Sequence, residues 1–309
     1  MQVAIFWLLL LSCLTPWMSA PVALVMGFVA TALGLHPGPV AITSWVKQLL
    51  GIAIVAMGFG VQLQAAVSLT GSYLGLIVAS IVLTLVAAWL LGRAFRVHPT
   101  TSYLIGSGTA ICGGSAIAAI GPAIHAKADQ LALAMATVFT LNAVALVVFP
   151  LIGHALNLDQ HTFGVWAAIA IHDTSSVVGA AQAYGNEALQ VATTLKLARA
   201  LWIVPLALLS AWWYQRMQPN AGRVKVSLLW FIVGYVLAML VHYVWPQFTP
   251  AYDLLFHGGK QLLVVCLFLI GASMSWAKLK AAGGAALLLA VLLWLLIGAG
   301  SLAWLLLAS

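Results

Sequence analysis

Apolar residues run almost without interruption along this chain and are broken only by short polar turns. A helix needs about 20 apolar residues to cross the hydrocarbon of a bilayer, within a range of about 17–25. On that measure the pattern predicts eleven helices, near residues 2–17, 20–35, 46–66, 72–92, 103–120, 130–153, 162–183, 188–214, 226–245, 258–277 and 283–307. The first two are short and separated only by Trp17 to Ser19. Breakers stand where turns are needed: His36-Pro37-Gly38-Pro39, His98-Pro99, Gly121-Pro122, Gln218-Pro219-Asn220 and Trp245-Pro246. Strands do not fit, because the runs are too long and lack the alternation of a membrane barrel. The expected fold class is an all-α polytopic membrane protein, with residues 1–309 forming one integral membrane domain.

Composition supports that reading. Of 309 residues, 64% are hydrophobic and 6% charged, against about 25% charged in a soluble domain. The mean hydropathy is +1.12. Such a chain has no polar coat to offer water and is solvated by lipid. The net charge of +7 does not indicate nucleic acid, because the twelve Lys and Arg form no cluster of the kind that follows phosphates. Cys13, Cys112 and Cys266 sit inside apolar segments without a CxxC partner or metal-ligand spacing. Met1 to Ala20 lacks a basic start, and Pro21 follows its one small-residue cleavage site, so it reads as an uncleaved first helix.

The positive charges set an orientation. Lys47, Arg93, Arg96, Arg216, Arg223, Lys225, Lys278 and Lys280 fall on the N-terminal side of the eleven-helix arrangement, and Lys127 and Lys260 on the other. This asymmetry predicts a cytoplasmic N-terminus and an external C-terminus. Making the fifth segment alone re-entrant would scatter the charges, whereas making both the fifth and the seventh re-entrant would restore them. One internal echo appears. Lys47-Gln-Leu-Leu with Gly58 recurs as Lys260-Gln-Leu-Leu with Gly271, offset by 213 residues, on segments three and ten. Those segments run in opposite directions, as an inverted repeat requires.

Polar residues at mid-depth are the candidate chemistry. The fifth segment carries Gly106-Ser-Gly-Thr-Ala-Ile-Cys-Gly-Gly-Ser115. Glycine costs a helix about 1 kcal/mol relative to alanine. Thr109, Cys112, Gly113, Gly114 and Ser115 therefore suggest a discontinuous helix whose freed amides face an anion, or else close helix packing through small residues. The seventh segment reads Ala170-Ile-His-Asp-Thr-Ser-Ser-Val-Val-Gly179. An Asp at a helix centre costs about 2.5–3.5 kcal/mol on insertion scales, so Asp173 is expected to face the interior and find a partner. Asp173, Thr174 or Ser175 is expected to cap a following half-helix, with Ser176 adding a donor. His172 reads either as a satisfied interior imidazole or as part of a proton relay.

The eighth segment supplies cations. Lys196 and Arg199 share one helix face, and Arg199 lies too deep to reach either surface. Two cations against one buried acid leave either an ion pair to Asp173 or a surplus positive charge suited to an anionic substrate. Asn142, Gln62, Gln64, Ser273 and Ser275 are weaker candidates that line a pathway or bond a neighbouring helix. A rival reading makes Cys112 or Ser115 a nucleophile with His172 as base, in an intramembrane enzyme; two buried cations and no third member count against it. No cofactor or metal is expected, since adjacent His172 and Asp173 point in different directions on a helix.

Thr109-Ala-Ile-Cys-Gly-Gly-Ser-Ala-Ile117, His172-Asp-Thr-Ser-Ser-Val-Val-Gly179, Lys196-Leu-Ala-Arg-Ala-Leu-Trp202 and the Gly58-Phe-Gly60-Val-Gln62 region together resemble the YeiH family of bacterial membrane proteins, the putative sulfate exporter family. The resemblance covers nearly the whole chain. It implies a multi-pass protein of the bacterial inner membrane and a fold similar to the bile-acid-symporter-like group, with inverted repeats and broken helices. The expected function is alternating-access transport of a small inorganic anion, sulfate or a related sulfur oxyanion, in the export direction. A channel, or a carrier of small carboxylates or organosulfonates, is the alternative. Thr109, Cys112, Gly113, Gly114, Ser115, Thr174, Ser175, Ser176, Lys196 and Arg199 are the expected anion-site residues, and His172 and Asp173 orient the site or carry a coupling ion. Expected partners are the anion, a proton or sodium ion, and membrane lipid; homo-oligomer formation stays open.

Overall fold

The computed structural model describes residues 2–15, 18, 20–35, 39–217, 230–273 and 284–308. The helices are α1 (Gln2–Ser12), α2 (Ala20–Ala32), α3 (Pro39–Gly58), α4 (Leu63–Ala94), α5 (Pro99–Ala110), α6 (Gly114–Ala123), α7 (Ala128–Ala155), α8 (Gln160–Ala170), α9 (Thr174–Tyr184), α10 (Asn186–Ala200), α11 (Ile203–Met217), α12 (Trp230–Val244), α13 (Thr249–Ser273) and α14 (Gly284–Ala308). Among the described residues the remaining regular element is a 3₁₀ turn at Pro246–Phe248, and there is no strand. Among the described residues, five stretches are long and apolar enough to cross a membrane: Leu63–Ala94, Asp129–Ala155, Asn186–Arg216, Pro246–Ala272 and Gly284–Leu307. The third expected segment, 46–66, begins earlier and stops at Gly58, where Phe59 to Gln62 form a turn, so Gln64 belongs to α4. Ser275, Arg223, Lys225, Lys278 and Lys280 lie outside the described residues.

The chain divides into two compact units, residues 1–69 with 229–276, and residues 70–228 with 277–309. In the first unit α13 packs against α2 and α3, and α12 packs against α3. Backbones approach closely there: a Cβ on Gly27 would fall 1.9 Å from the Phe268 carbonyl oxygen, and one on Gly259 would fall 2.9 Å from that of Ala53. Small residues at such contacts are the usual device of membrane helix pairs. Thr31 Oγ1 donates to the Ala272 carbonyl at 2.7 Å. The Lys47 and Lys260 echo falls on α3 and α13, which pack on one another.

The second unit holds the broken segments, and α7 serves as their ruler. Its 28 residues span about 42 Å at 1.5 Å per residue. At its N-terminal end, His98 Nδ1, which also accepts from the Thr100 amide at the start of α5, lies 3.1 Å from Gln130 Nε2. The far end of α6 is at the same level, since a Cβ on Gly121 would meet Leu131 at 2.3 Å. Tyr103 on α5 and His125 after α6 also both reach the last turns of α11, at Ser210 (2.7 Å) and Tyr214 (ring centroids 5.2 Å). The α5–α6 segment therefore enters and leaves on one side of the unit.

The α8–α9 segment does the same at the opposite end of α7. Gln160 Oε1, opening α8, accepts from the Glu187 amide just beyond α9 at 3.0 Å. The Phe163 and Tyr184 rings stack at 3.7 Å, Tyr184 stacks on His154 at 4.4 Å, and its hydroxyl donates to the Leu158 carbonyl at 2.5 Å. The fifth and seventh segments, expected as crossings over 103–120 and 162–183, are thus two re-entrant hairpins entering from opposite ends of α7. The physical reason is the break itself. A three-residue interruption such as Ile111–Gly113, with Gly113 at φ 63° and ψ −127°, lets the chain reverse, and apolar composition is the same either way. The arms hold 10–12 residues, or about 15–18 Å, roughly half of a 30 Å hydrocarbon core.

Candidate functional site at the two hairpin tips

The tips meet. A Cβ on Gly113 would lie 3.2 Å from Asp173 Cβ and 3.3 Å from its Cα. Both tips sit against the middle of α7: a Cβ on Gly114 would touch the Phe139 ring at 2.6 Å, and Asn142 Oδ1 accepts from the Asp173 amide at 3.2 Å. Each tip presents the C-terminal end of one half-helix and the N-terminal end of the next. Four helix termini therefore converge at mid-depth, where unpartnered amides and carbonyls are most costly.

The carbonyl ends are covered by the cations. Lys196 Nζ donates to the Ile171 carbonyl at 2.7 Å and to that of Ala168 at 3.3 Å. Arg199 Nε donates to the Ala110 carbonyl at 2.7 Å, and its Nη1 donates to Ile169 and, at 3.4 Å, to Ala168. Both side chains are fully buried. One arginine thus ties the last turn of α5 to the last turns of α8, joining the two hairpins. The ion pair weighed from the sequence is not formed. Asp173 pairs with neither Lys196 nor Arg199; the His161 ring lies 3.7 Å from the Glu187 carboxylate.

The amide ends differ from one another. Asp173 caps α9: its Oδ2 accepts from the Ser175 amide (3.1 Å), the Ser176 amide (3.4 Å) and the Ser175 hydroxyl. Gly113 offers α6 no side-chain cap. Ser115, Asp173 and Ser175 are partly exposed, whereas Thr109, Cys112, Gly113, Gly114, His172, Thr174, Ser176, Lys196 and Arg199 are buried. Several buried polar atoms there have no hydrogen-bond partner: Thr109 Oγ1, Asn142 Nδ2, both His172 ring nitrogens, Thr193 Oγ1 and Arg199 Nη2. Cys112 and His172 therefore share no hydrogen bond. Donors and acceptors left open beside two cations make this a polar centre for a small polar guest.

All the residues singled out from the fifth, seventh and eighth segments gather at this centre, and Asn142, ranked low on the sequence, joins them at the second tip. What the sequence reading missed is a second repeat. Ala110-Ile111-x-x-x-Ser115 and Ala170-Ile171-x-x-x-Ser175 match at an offset of 60 residues, and each falls on a hairpin tip. Each hairpin is followed by a long apolar stretch, α7 in one case and Asn186–Arg216 in the other, running in opposite senses. The signal was readable, but two matched apolar residues and a serine stand out poorly in so apolar a chain. Outside the membrane-spanning segments, the Asp159 carboxylate that caps α8 is held below its ordinary pKa of 3.8, chiefly by the Thr162 hydroxyl and amide.

The fold and this polar centre define a helical membrane protein with discontinuous helices meeting at mid-depth. The family model described as Conserved hypothetical protein 698 matches residues 1–290, and the chain belongs to that family, the YeiH or UPF0324 family. Among its relatives are proteins named UPF0324 membrane protein from Vibrio parahaemolyticus, 56% identical over 98% of this chain and 97% of the relative; from Shewanella oneidensis, 53% identical over 96% and 92%; and from Bacteroides thetaiotaomicron, 46% identical over 93% and 86%. No solved structure matches the chain.

Proposed function

We propose that this protein is a secondary transporter that moves a small inorganic anion, sulfate or a related sulfur oxyanion, out of the bacterial cell by alternating access. The observation that carries the reading is the meeting of two oppositely entering hairpin tips beside two fully buried cations. Each pair of half-helix ends contributes roughly half a charge of either sign, so the termini cancel. Lys196, Arg199 and Asp173 then leave about one surplus positive charge at mid-depth when ionised, which an anion neutralises. The uncapped amides of α6, the Ser115 hydroxyl and Arg199 Nη2 are the donors that would hold it, with Thr109 Oγ1 and His172 lining the buried side. The inverted arrangement of the hairpins gives two similar ways to expose the tips, one to each side, which is the structural basis of alternating access.

In this reading the chain makes nine full crossings and two hairpins, with a cytoplasmic N-terminus and an external C-terminus in the inner membrane. The hairpins take the place of the fully crossing broken helices that the bile-acid-symporter-like arrangement implies. Export suits a dianion, because each charge leaving an inside-negative cell gains about 2.3 kcal/mol per 100 mV and a dianion about twice that. The test is purified protein in proteoliposomes, with influx and efflux of sulfate, sulfite, thiosulfate and small carboxylates measured. Saturable flux with counterflow of at least one sulfur oxyanion is expected. Unsaturable flux would indicate a channel, and no flux of any anion would end the reading.

A further inference from the structure

We infer that Lys196 and Arg199 are tethered substitutes for a coupling cation, so that the anion cycle runs without sodium; this rests on the transporter reading above. In transporters with discontinuous helices, the carbonyls at half-helix C-terminal ends are what coordinate a coupling sodium ion. Here those carbonyls already face cations belonging to the chain. The Lys196 ammonium lies 2.7 Å from the Ile171 oxygen and 3.3 Å from that of Ala168, and the Arg199 guanidinium covers Ala110 and Ile169. An ammonium, with donors only and no acceptor, makes the same oxygen-facing contacts as a bound metal cation.

One oxygen of the carboxylate that a sodium ion would share is also committed, since Asp173 Oδ2 accepts two amides and a hydroxyl at the start of α9. Sodium would have to displace a fully buried charged side chain from its carbonyls and then lie beside a second cation. A side-chain cation differs from a bound ion in one functional respect: it cannot leave at the end of the cycle. It neutralises the anion on every passage without being transported and without drawing on a sodium gradient.

Two measurements on the full chain test this. In proteoliposomes, sulfate and sulfite flux is compared in sodium and in choline salts of equal concentration. In detergent, thermal unfolding is followed in sodium chloride and in choline chloride for the wild type, Lys196→Ser and Lys196→Arg. Wild-type flux and midpoint are expected to be the same in both salts. Lys196→Ser, with an emptied carbonyl cage, is expected to gain a midpoint that rises with sodium, and Lys196→Arg to stay indifferent. A fall in wild-type flux of about tenfold or more without sodium, or a sodium-specific rise in the wild-type midpoint, overturns the inference while leaving the transporter reading standing. No flux of any anion in either salt removes both. Should Lys196→Ser fail to fold, the wild-type and Lys196→Arg comparisons decide alone.

Discussion

At the scale of single residues, the sequence shows that Arg199 is buried and cationic, but not what it touches. Two partners were open, an anion and Asp173, because charge and depth do not specify geometry. The structure gives a third. Arg199 Nε and Nη1 serve the carbonyls of Ala110, Ala168 and Ile169, which only a backbone trace places together. This changes what substitutions should do. Arg199→Ala leaves the buried carbonyls of Ala110 and Ile169 without their side-chain donor, while Ala168 keeps Lys196; at about 1–3 kcal/mol each, a loss of several kcal/mol in thermal unfolding is expected. Asp173→Asn should be mild by comparison, within about 1 kcal/mol, because Asn caps a helix nearly as well as Asp. Combining the two should not repair the arginine variant, since the side chains are not paired. A double variant with the wild-type midpoint would mean that Asp173 is the partner after all.

At the scale of elements, the breaks were legible and their consequence was not. Gly113-Gly114 and His172-Asp173 mark the two interruptions from composition alone, and Asp173 caps α9 as its residue type predicts. Whether the following half-helix continues across or turns back depends on contacts such as Gln130 with His98 and Gln160 with Glu187, which are distant in sequence. Gly113 makes the first reversal possible. Its φ of 63° and ψ of −127° lie where a side chain costs about 1–3 kcal/mol, and a Cβ would also press on Asp173 at 3.2 Å. Gly113→Ala is therefore expected to lower stability by about that amount and to cut anion flux by about tenfold or more. Gly75→Ala is the control: it lies within α4 and nothing stands within 4 Å of its added methyl. It should be neutral or slightly stabilising. Equal effects at the two positions would remove the special role of the tip.

At the scale of the whole molecule, the two hairpins alter the charge map that first set the orientation. With eleven crossings, Lys127 stood apart from Arg93, Arg96 and Arg216. With α5–α6 returning to the side it entered, Lys127 joins them, because His98 and Lys127 bracket one hairpin whose ends both lie at the N-terminal end of α7. The opposite end of the same unit carries Asp159, His161 and Glu187. The positive-inside asymmetry is thus sharper for the observed topology than for the one read from hydropathy. Hydropathy could not choose, because a hairpin and a crossing bury the same residues in the same hydrocarbon. The two topologies separate at two residues, Lys127 and Asp159. In a background with Cys13, Cys112 and Cys266 replaced by serine, single cysteines at the exposed positions Arg96, Lys127, Arg216, Asp159 and Glu187 are labelled with a membrane-impermeant maleimide in intact cells and in inverted vesicles. Arg96→Cys, Lys127→Cys and Arg216→Cys should label only from the cytoplasmic side, and Asp159→Cys and Glu187→Cys only from outside. If α5–α6 crossed the bilayer, Lys127→Cys would label from the side opposite Arg96→Cys. That single result would remove the opposed hairpins, and with them the tip site on which the anion reading rests.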